Sequence, residues 1–160
     1  MPQAKNEREL KQMLKAPIDE MCQYVAEQIL KENADVIDEV VYGAGSPSWY
    51  ERTGQFKNAW SISKPRVKGN VLAARSILMD GRKIRYNADK GQHGSPSWFK
   101  NPINAKDYMA DIIYQGLSGD AFGDGYWRSP RDAFSIVIQN LDDGKFDQWV
   151  EEGLRKVGLK

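Results

Sequence analysis

Apolar positions near the start of the chain recur at steps of three and four: Leu10, Met13, Leu14, Ile18, Met21, Val25, Ile29 and Leu30. That period marks one helical face turned towards a core. Asn6, with Glu9 three residues on, supplies an N-cap and its capping-box partner, and the helix is expected to end near Asn33. Pro17 falls inside it. Proline lacks a backbone donor and clashes with the preceding turn, so the pattern predicts a kink or a restart with Pro17 in the first turn.

Val36 to Tyr42 is rich in β-branched residues but carries Asp38 and Glu39, which leaves a short strand and a second helical piece both open. Gly43 to Ser48 is a loop by composition and delivers Trp49 and Tyr50. A helical turn around Phe56 to Trp60 then leads into a strand over Ser61 to Val67, which Gly69-Asn70 separates from a second strand over Val71 to Met79. Asp80-Gly81 predicts a type I′ turn, with Lys83-Ile84-Arg85-Tyr86 as the returning strand.

Residues 87–104 show no period and read as a long loop. Tyr108, Ile112 and Ile113 give 105–115 a helical spacing, and the run Gly116 to Gly125 is glycine-rich. Pro130 can open a helix in its first turn, with Ala133, Phe134, Val137, Ile138 and Leu141 on one face, stopped by Asp142-Asp143-Gly144. A last stripe, Phe146, Trp149, Val150, Leu154 and Val157, is capped by Gly158. The fold class is α+β: a small antiparallel β-sheet packed with a long N-terminal helix and C-terminal helices, with long loops.

Composition narrows the function classes. The 160 residues fit one domain, 1–160, and 41% hydrophobic with 28% charged residues describes a chain that folds. No apolar run reaches the ~18 residues that span a bilayer, and the N-terminus lacks a signal peptide's apolar stretch, so a cytosolic protein is expected. A lone cysteine, Cys22, excludes an internal disulfide. A lone histidine, His93, leaves no cluster of soft metal ligands. Asp120, Asp124, Asp142 and Asp143 lack the spacing of a calcium loop and read as solvated turn residues. No metal or other cofactor is expected.

Two motifs stand out. The pentapeptide Gly-Ser-Pro-Ser-Trp occurs at Gly45 to Trp49 and again at Gly94 to Trp98, each time followed by another aromatic, Tyr50 or Phe99. A rigid turn presenting paired aromatics suits a contact surface, because such side chains bury large area at low entropic cost. The alternative is that both tryptophans fold back on the domain's own core. The second motif is Tyr50-x-Arg52-Thr53-Gly54-x-Phe56-x-x-Ala59. On its own residues, Thr53 can cap the following short helix, Gly54 relieves the turn, and Phe56 and Trp60 lie one helical turn apart on the buried face.

This stretch resembles the Thr-Gly-x-Leu-x-x-Ser signature, often preceded by Tyr-x-Arg, of tail-completion and head-tail joining proteins of tailed bacteriophages. Phe56 stands where that family usually has leucine, and Ala59 where it has a small hydroxyl residue. Trp127-Arg128-Ser129-Pro130-Arg131-Asp132-Ala133-Phe134 is similar to an aromatic, arginine and proline cluster near the family's last helix, with different spacing.

The resemblance implies a non-enzymatic virion subunit, assembled in the host cytoplasm into a closed hexameric or dodecameric ring. Its implied partners are copies of itself, the connector or head-completion proteins, and the tail tube. Interface candidates are Trp49, Tyr50, Trp98, Phe99 and Trp127; Arg52, Thr53, Gly54, Phe56 and Trp60 serve the motif.

Two other classes compete. With a net charge of +1 there is no global pull towards phosphates, but Lys64 to Arg85 is locally basic. On strands, Arg66, Lys68, Arg82, Lys83 and Arg85 would line a face that meets DNA in a ring lumen, or act as ordinary solvated charges. An enzyme would have to be centred on His93, which has no second histidine to pair with.

Overall fold

The structure is a computed structural model and describes residues 4–43, 54–66, 73–83, 110, 113–115 and 130–160. It is α+β and mostly helical, with a long N-terminal helix and a two-stranded sheet. The elements are α1 (Glu7–Val36), a π-helical turn (Ile37–Tyr42), α2 (Gln55–Asn58), β1 (Trp60–Ile62), β2 (Ile77–Met79), a 3-10 turn (Gly81–Lys83), α3 (Ala133–Asn140), a second π-type turn (Leu141–Lys145) and α4 (Phe146–Lys156). The chain divides into two compact units: Met1–Glu32 with Ser61–Leu78 and Ile138–Lys160, and Asn33–Trp60 with Met79–Val137.

α1 begins as its sequence dictates. Asn6 Oδ1 accepts the Glu9 backbone N–H at 2.9 Å, and Glu9 reaches back to the Lys5 N–H at 2.8 Å, so two otherwise orphaned donors are satisfied. The helix does not restart at Pro17, which lies inside one continuous span, and it runs past Asn33 to Val36. Val36 to Tyr42 is therefore helical, not a strand. The last turn widens to π geometry, with the Gly43 N–H bonded to Asp38 O at 2.8 Å. Ile37 and Val41 are buried by this widened turn.

The first unit is built on the N-terminal part of α1, with Val25 and Ala26 buried. α4 crosses it at Gly153, whose hydrogen faces Met21 and Tyr24. Around this crossing the Tyr24 hydroxyl donates to Glu152 at 2.6 Å, and Lys156 Nζ sits 3.6 Å from the centre of the Tyr24 ring. Glu32 Oε1 accepts from Asn140 Nδ2 and from Lys145 Nζ, both at 2.6 Å, on either side of a break at Gly144 (φ 107°). Asp142-Asp143-Gly144 thus ends α3, as the pattern predicts. Gly158 caps α4 in a Schellman arrangement: the Leu159 N–H bonds to Leu154 O and the Gly158 N–H to Arg155 O.

The hairpin forms, but its regular strands are shorter than the sequence suggests, three residues each. Asp80 N to Ala59 O and Ser63 N to Ser76 O fix one antiparallel register, and beyond them Arg66 and Ala74 exchange both backbone bonds. Two residues, Lys64 and Pro65, therefore face one, Arg75: a bulge, placed where proline can withhold its donor. Arg75 leaves the sheet to pair with Asp19 of α1 at 2.7 Å. The Asp80-Gly81 turn is not type I′, since neither residue has positive φ; a 3-10 turn closes with Lys83 N to Asp80 O. Ile84 to Tyr86 lie outside the described residues.

The core of the second unit contains Val36, Ile37, Val41, Phe56, Ala59, Ile113, Ala133 and Val137. α3 starts later than expected. Asp132 caps it, accepting the Ser135 N–H at 2.9 Å and the Ser135 hydroxyl at 2.6 Å, so Pro130 precedes the helix and is not in its first turn. The expected apolar face also rotates: Ala133 and Val137 are buried, whereas Phe134 and Ile138 are 50% and 41% exposed.

Candidate functional site

The motif residues that the structure describes form a tight corner in the second unit. Gly54 takes φ 66°, ψ 6°, a left-handed conformation that a side chain at this position would strain. Its carbonyl accepts the Asn58 N–H at 3.2 Å, opening the single helical turn of α2. The N-cap of the turn is Gly54 itself, and Thr53, expected to cap it, lies outside the described residues. Trp60 is also not on that helix: α2 ends at Asn58 and Trp60 is the first residue of β1.

Phe56 and Trp60 nevertheless meet edge to face, with ring centroids 6.1 Å apart and planes at 82°. Phe56 also contacts Tyr114 at 6.0 Å, and Tyr114 contacts Phe134 at 6.3 Å. The result is a row of four aromatics running from Trp60 through the buried Phe56 and then Tyr114 to the half-exposed Phe134. Ala59 is wholly buried between the turn and the strand, which explains a small residue at that motif position.

Polar contacts fasten the corner. Lys57 reaches Asp38 on the π-helical turn at 2.6 Å. The Lys57 ammonium is held above its usual range by its hydrogen bond with that carboxylate. Arg131 donates to Val41 O at 3.1 Å, and its backbone N–H donates to Ile113 O at 2.9 Å. A guanidinium is thereby placed at the carbonyl end of the helical segment, where positive charge is favoured. Burial raises the Tyr114 phenol to about 12, with Asp132 adding to the shift. Its hydroxyl has no hydrogen-bond partner among the described residues.

Of the residues singled out in the sequence, Gly54, Phe56 and Trp60 are brought together. Arg52, Thr53, Trp49, Tyr50, Trp98, Phe99, Trp127, Lys68 and Arg85 lie outside the described residues, as do His93 and the side chain of Arg82. Arg66 and Lys83 are exposed. The sequence did not single out Lys57 or Tyr114, and it named Arg131 only within the aromatic, arginine and proline cluster; Tyr114 neighbours the predicted helical pair Ile112 and Ile113, which was its one signal.

Among the described residues, no group of three or more His, Cys, Asp and Glu side chains can hold a metal ion. No helix of the described residues is long and apolar enough to cross a membrane. The arrangement as a whole is a packed aromatic corner held by the Lys57–Asp38 pair and the Arg131 hydrogen bonds.

No curated protein and no solved structure matches the chain. The family model described as YomN, a name derived from a Bacillus phage, matches residues 6–156, from the N-cap of α1 to the end of α4. The protein is therefore phage-associated, and the chain belongs to the YomN family.

Proposed function

We propose that the protein is a structural virion component of a tailed phage, a ring-forming subunit at the head-tail junction or tail end. It works by assembly and carries out no catalysis. The observation that carries this reading is the Tyr50-x-Arg52-Thr53-Gly54-x-Phe56-x-x-Ala59 stretch in a chain of a phage-derived family. Its described half is a positive-φ glycine, a buried aromatic and a buried alanine in one corner. A corner of this kind gives the residues before it a fixed point of departure, and Trp49 and Tyr50 stand just ahead of it in sequence. Large apolar side chains are available for assembly contacts: Leu10, Leu78, Phe134, Ile138 and Phe146 are all at least 40% exposed.

The test is the mass of the purified protein in solution, alone and mixed with phage connectors or tail tubes, beside a Trp49→Ala/Trp98→Ala double variant. A ring, or connector-dependent assembly lost in the variant, is expected. A monomer that ignores every virion partner and is retained on DNA at low salt would favour the nucleic-acid reading instead. The exposure of Lys64, Arg66 and Lys83 favours that alternative, whereas Arg75 is lost to it through its pair with Asp19.

A further inference from the structure

Two exposed surfaces of opposite charge lie within the first unit. One is the outward face of the hairpin. The register set by Ser63–Ser76 and Arg66–Ala74 puts Arg66, Ala74, Ser76 and Leu78 on one side, opposite Arg75, Ile77 and Met79. All four are exposed, Leu78 by 50%, and Lys64 is exposed in the bulge beside them. Neither Lys64 nor Arg66 has an ion-pair partner among the described residues.

The other surface is the segment from Ile138 to Asp147. Ile138 is 41% and Phe146 44% exposed, and Asp142, Asp143 and Asp147 are exposed carboxylates without an ion-pair partner among the described residues. The bend that carries them is held from within, because Glu32 grips Asn140 and Lys145 on both sides of Gly144. That removes part of the ordering cost that a loose segment would meet on binding.

We infer that these surfaces are the two sides of a head-to-tail contact, in which the hairpin face of one copy docks on the Ile138–Asp147 segment of the next. The inference rests on the ring reading above and adds to it which surfaces meet. A closed ring needs two different patches on each subunit. Here one carries the exposed Leu78 with Lys64 and Arg66, and the other the exposed Ile138 and Phe146 with Asp142, Asp143 and Asp147. Each repels its own kind, so like-with-like pairing is disfavoured and the head-to-tail pairing is selected.

Charge reversal tests this on the full chain. Variant one is Lys64→Glu/Arg66→Glu and variant two is Asp142→Lys/Asp143→Lys, both followed by native mass spectrometry and light scattering, with circular dichroism to confirm folding. Each variant alone is expected to lose assembly by at least ~10-fold in association constant, the loss of a pair of complementary rim charges. An equimolar mixture is expected to assemble again, because in an alternating ring every hairpin then meets a segment of opposite sign. That recovery separates the effect from misfolding.

A wild type that assembles while both variants assemble equally well overturns the inference and leaves the ring reading standing. A wild type that assembles neither alone nor on a connector or tail tube removes the ring reading and the inference together. Loss of DNA retention in variant one, with assembly intact, would make the hairpin face a nucleic-acid surface and also overturn the inference.

Discussion

A β-carbon on Gly153 would lie 2.9 Å from Cγ of Met21, closer than two such carbons approach, so any side chain at this crossing of α4 and α1 would have to displace Met21. Its neighbours Glu152 and Lys156 then hold Tyr24 from either side, through the 2.6 Å hydrogen bond and the ammonium over the ring. The crossing is thus a packing constraint framed by polar contacts. In isolation an alanine here would favour α4 by about 1 kcal/mol.

Gly153→Ala should nevertheless lower stability, because overpacking costs about 1–3 kcal/mol and outweighs the gain in helix propensity. Gly153→Leu should lower it further. Denaturant unfolding measures both. A wild-type midpoint in the alanine variant would mean that Met21 moves aside without cost, and that the crossing is looser than its geometry implies.

Glu32 gives a pH prediction. Burial alone would raise its pKa, but the hydrogen bonds from Lys145 and Asn140 together hold it below the ordinary 4.5. A depressed carboxylate stabilises the folded state above its unfolded pKa, and that contribution is lost as pH falls through the folded value. Stability should therefore fall on acidification below about pH 4.5. Other lowered carboxylates, Asp132 and Glu152 among them, act in the same direction. The Glu32→Gln variant isolates this one: it should be less stable than wild type at neutral pH, with the gap closing in acid. A gap that stays constant with pH would assign the effect to shape and not to charge.

Tyr114 gives the opposite limb. The buried phenol titrates near 12, against 10.0 in the open chain, so the unfolded chain loses its proton first. Its share of stability is fully present below pH 10.0 and drains away as pH rises towards 12. At neutral pH, Tyr114→Phe keeps the ring contacts with Phe56 and Phe134 and removes a hydroxyl without a hydrogen-bond partner among the described residues. The variant should match or exceed wild-type stability by up to about 1 kcal/mol, and its alkaline limb should flatten. A loss of about 2 kcal/mol or more would show that the hydroxyl is well satisfied.

Local signals were legible and long-range ones were not. The cap at Asn6, the break at Asp142-Asp143-Gly144 and the cap at Gly158 depend on a few neighbouring residues, and the chain forms all three as written. Apolar spacing also located α1, α3 and α4. It misjudged which side of α3 is buried, because Phe134 and Val137 are equally apolar and packing in the second unit selects Val137. Asp80-Gly81 has the residues of a type I′ turn but closes with 3-10 geometry, a choice that turn composition alone does not make. At the corner, Phe56 and Gly54 were visible in the motif. Tyr114 and Arg131 were not, since each acts on residues far away in sequence.

Arg131 makes the last case. It belongs to the stretch Trp127 to Phe134, which in sequence offered only a cluster of aromatic, arginine and proline residues. In the fold its guanidinium bonds the carbonyl of Val41 at 3.1 Å, at the end of the π-helical turn, while its backbone holds Ile113. A hydrogen bond to a charged group contributes about 1.5–3 kcal/mol, and the helix-end dipole adds to it. Arg131→Ala should therefore cost about 2 kcal/mol in denaturant unfolding, and amide exchange should rise first at Val41 to Gly43. Arg131→Lys keeps the charge but cannot reproduce the planar donor array, so it should recover only part of the loss. Full recovery with lysine would reduce the contact to simple charge at a helix end. No loss with alanine would mean that the backbone bond to Ile113 alone holds this corner together.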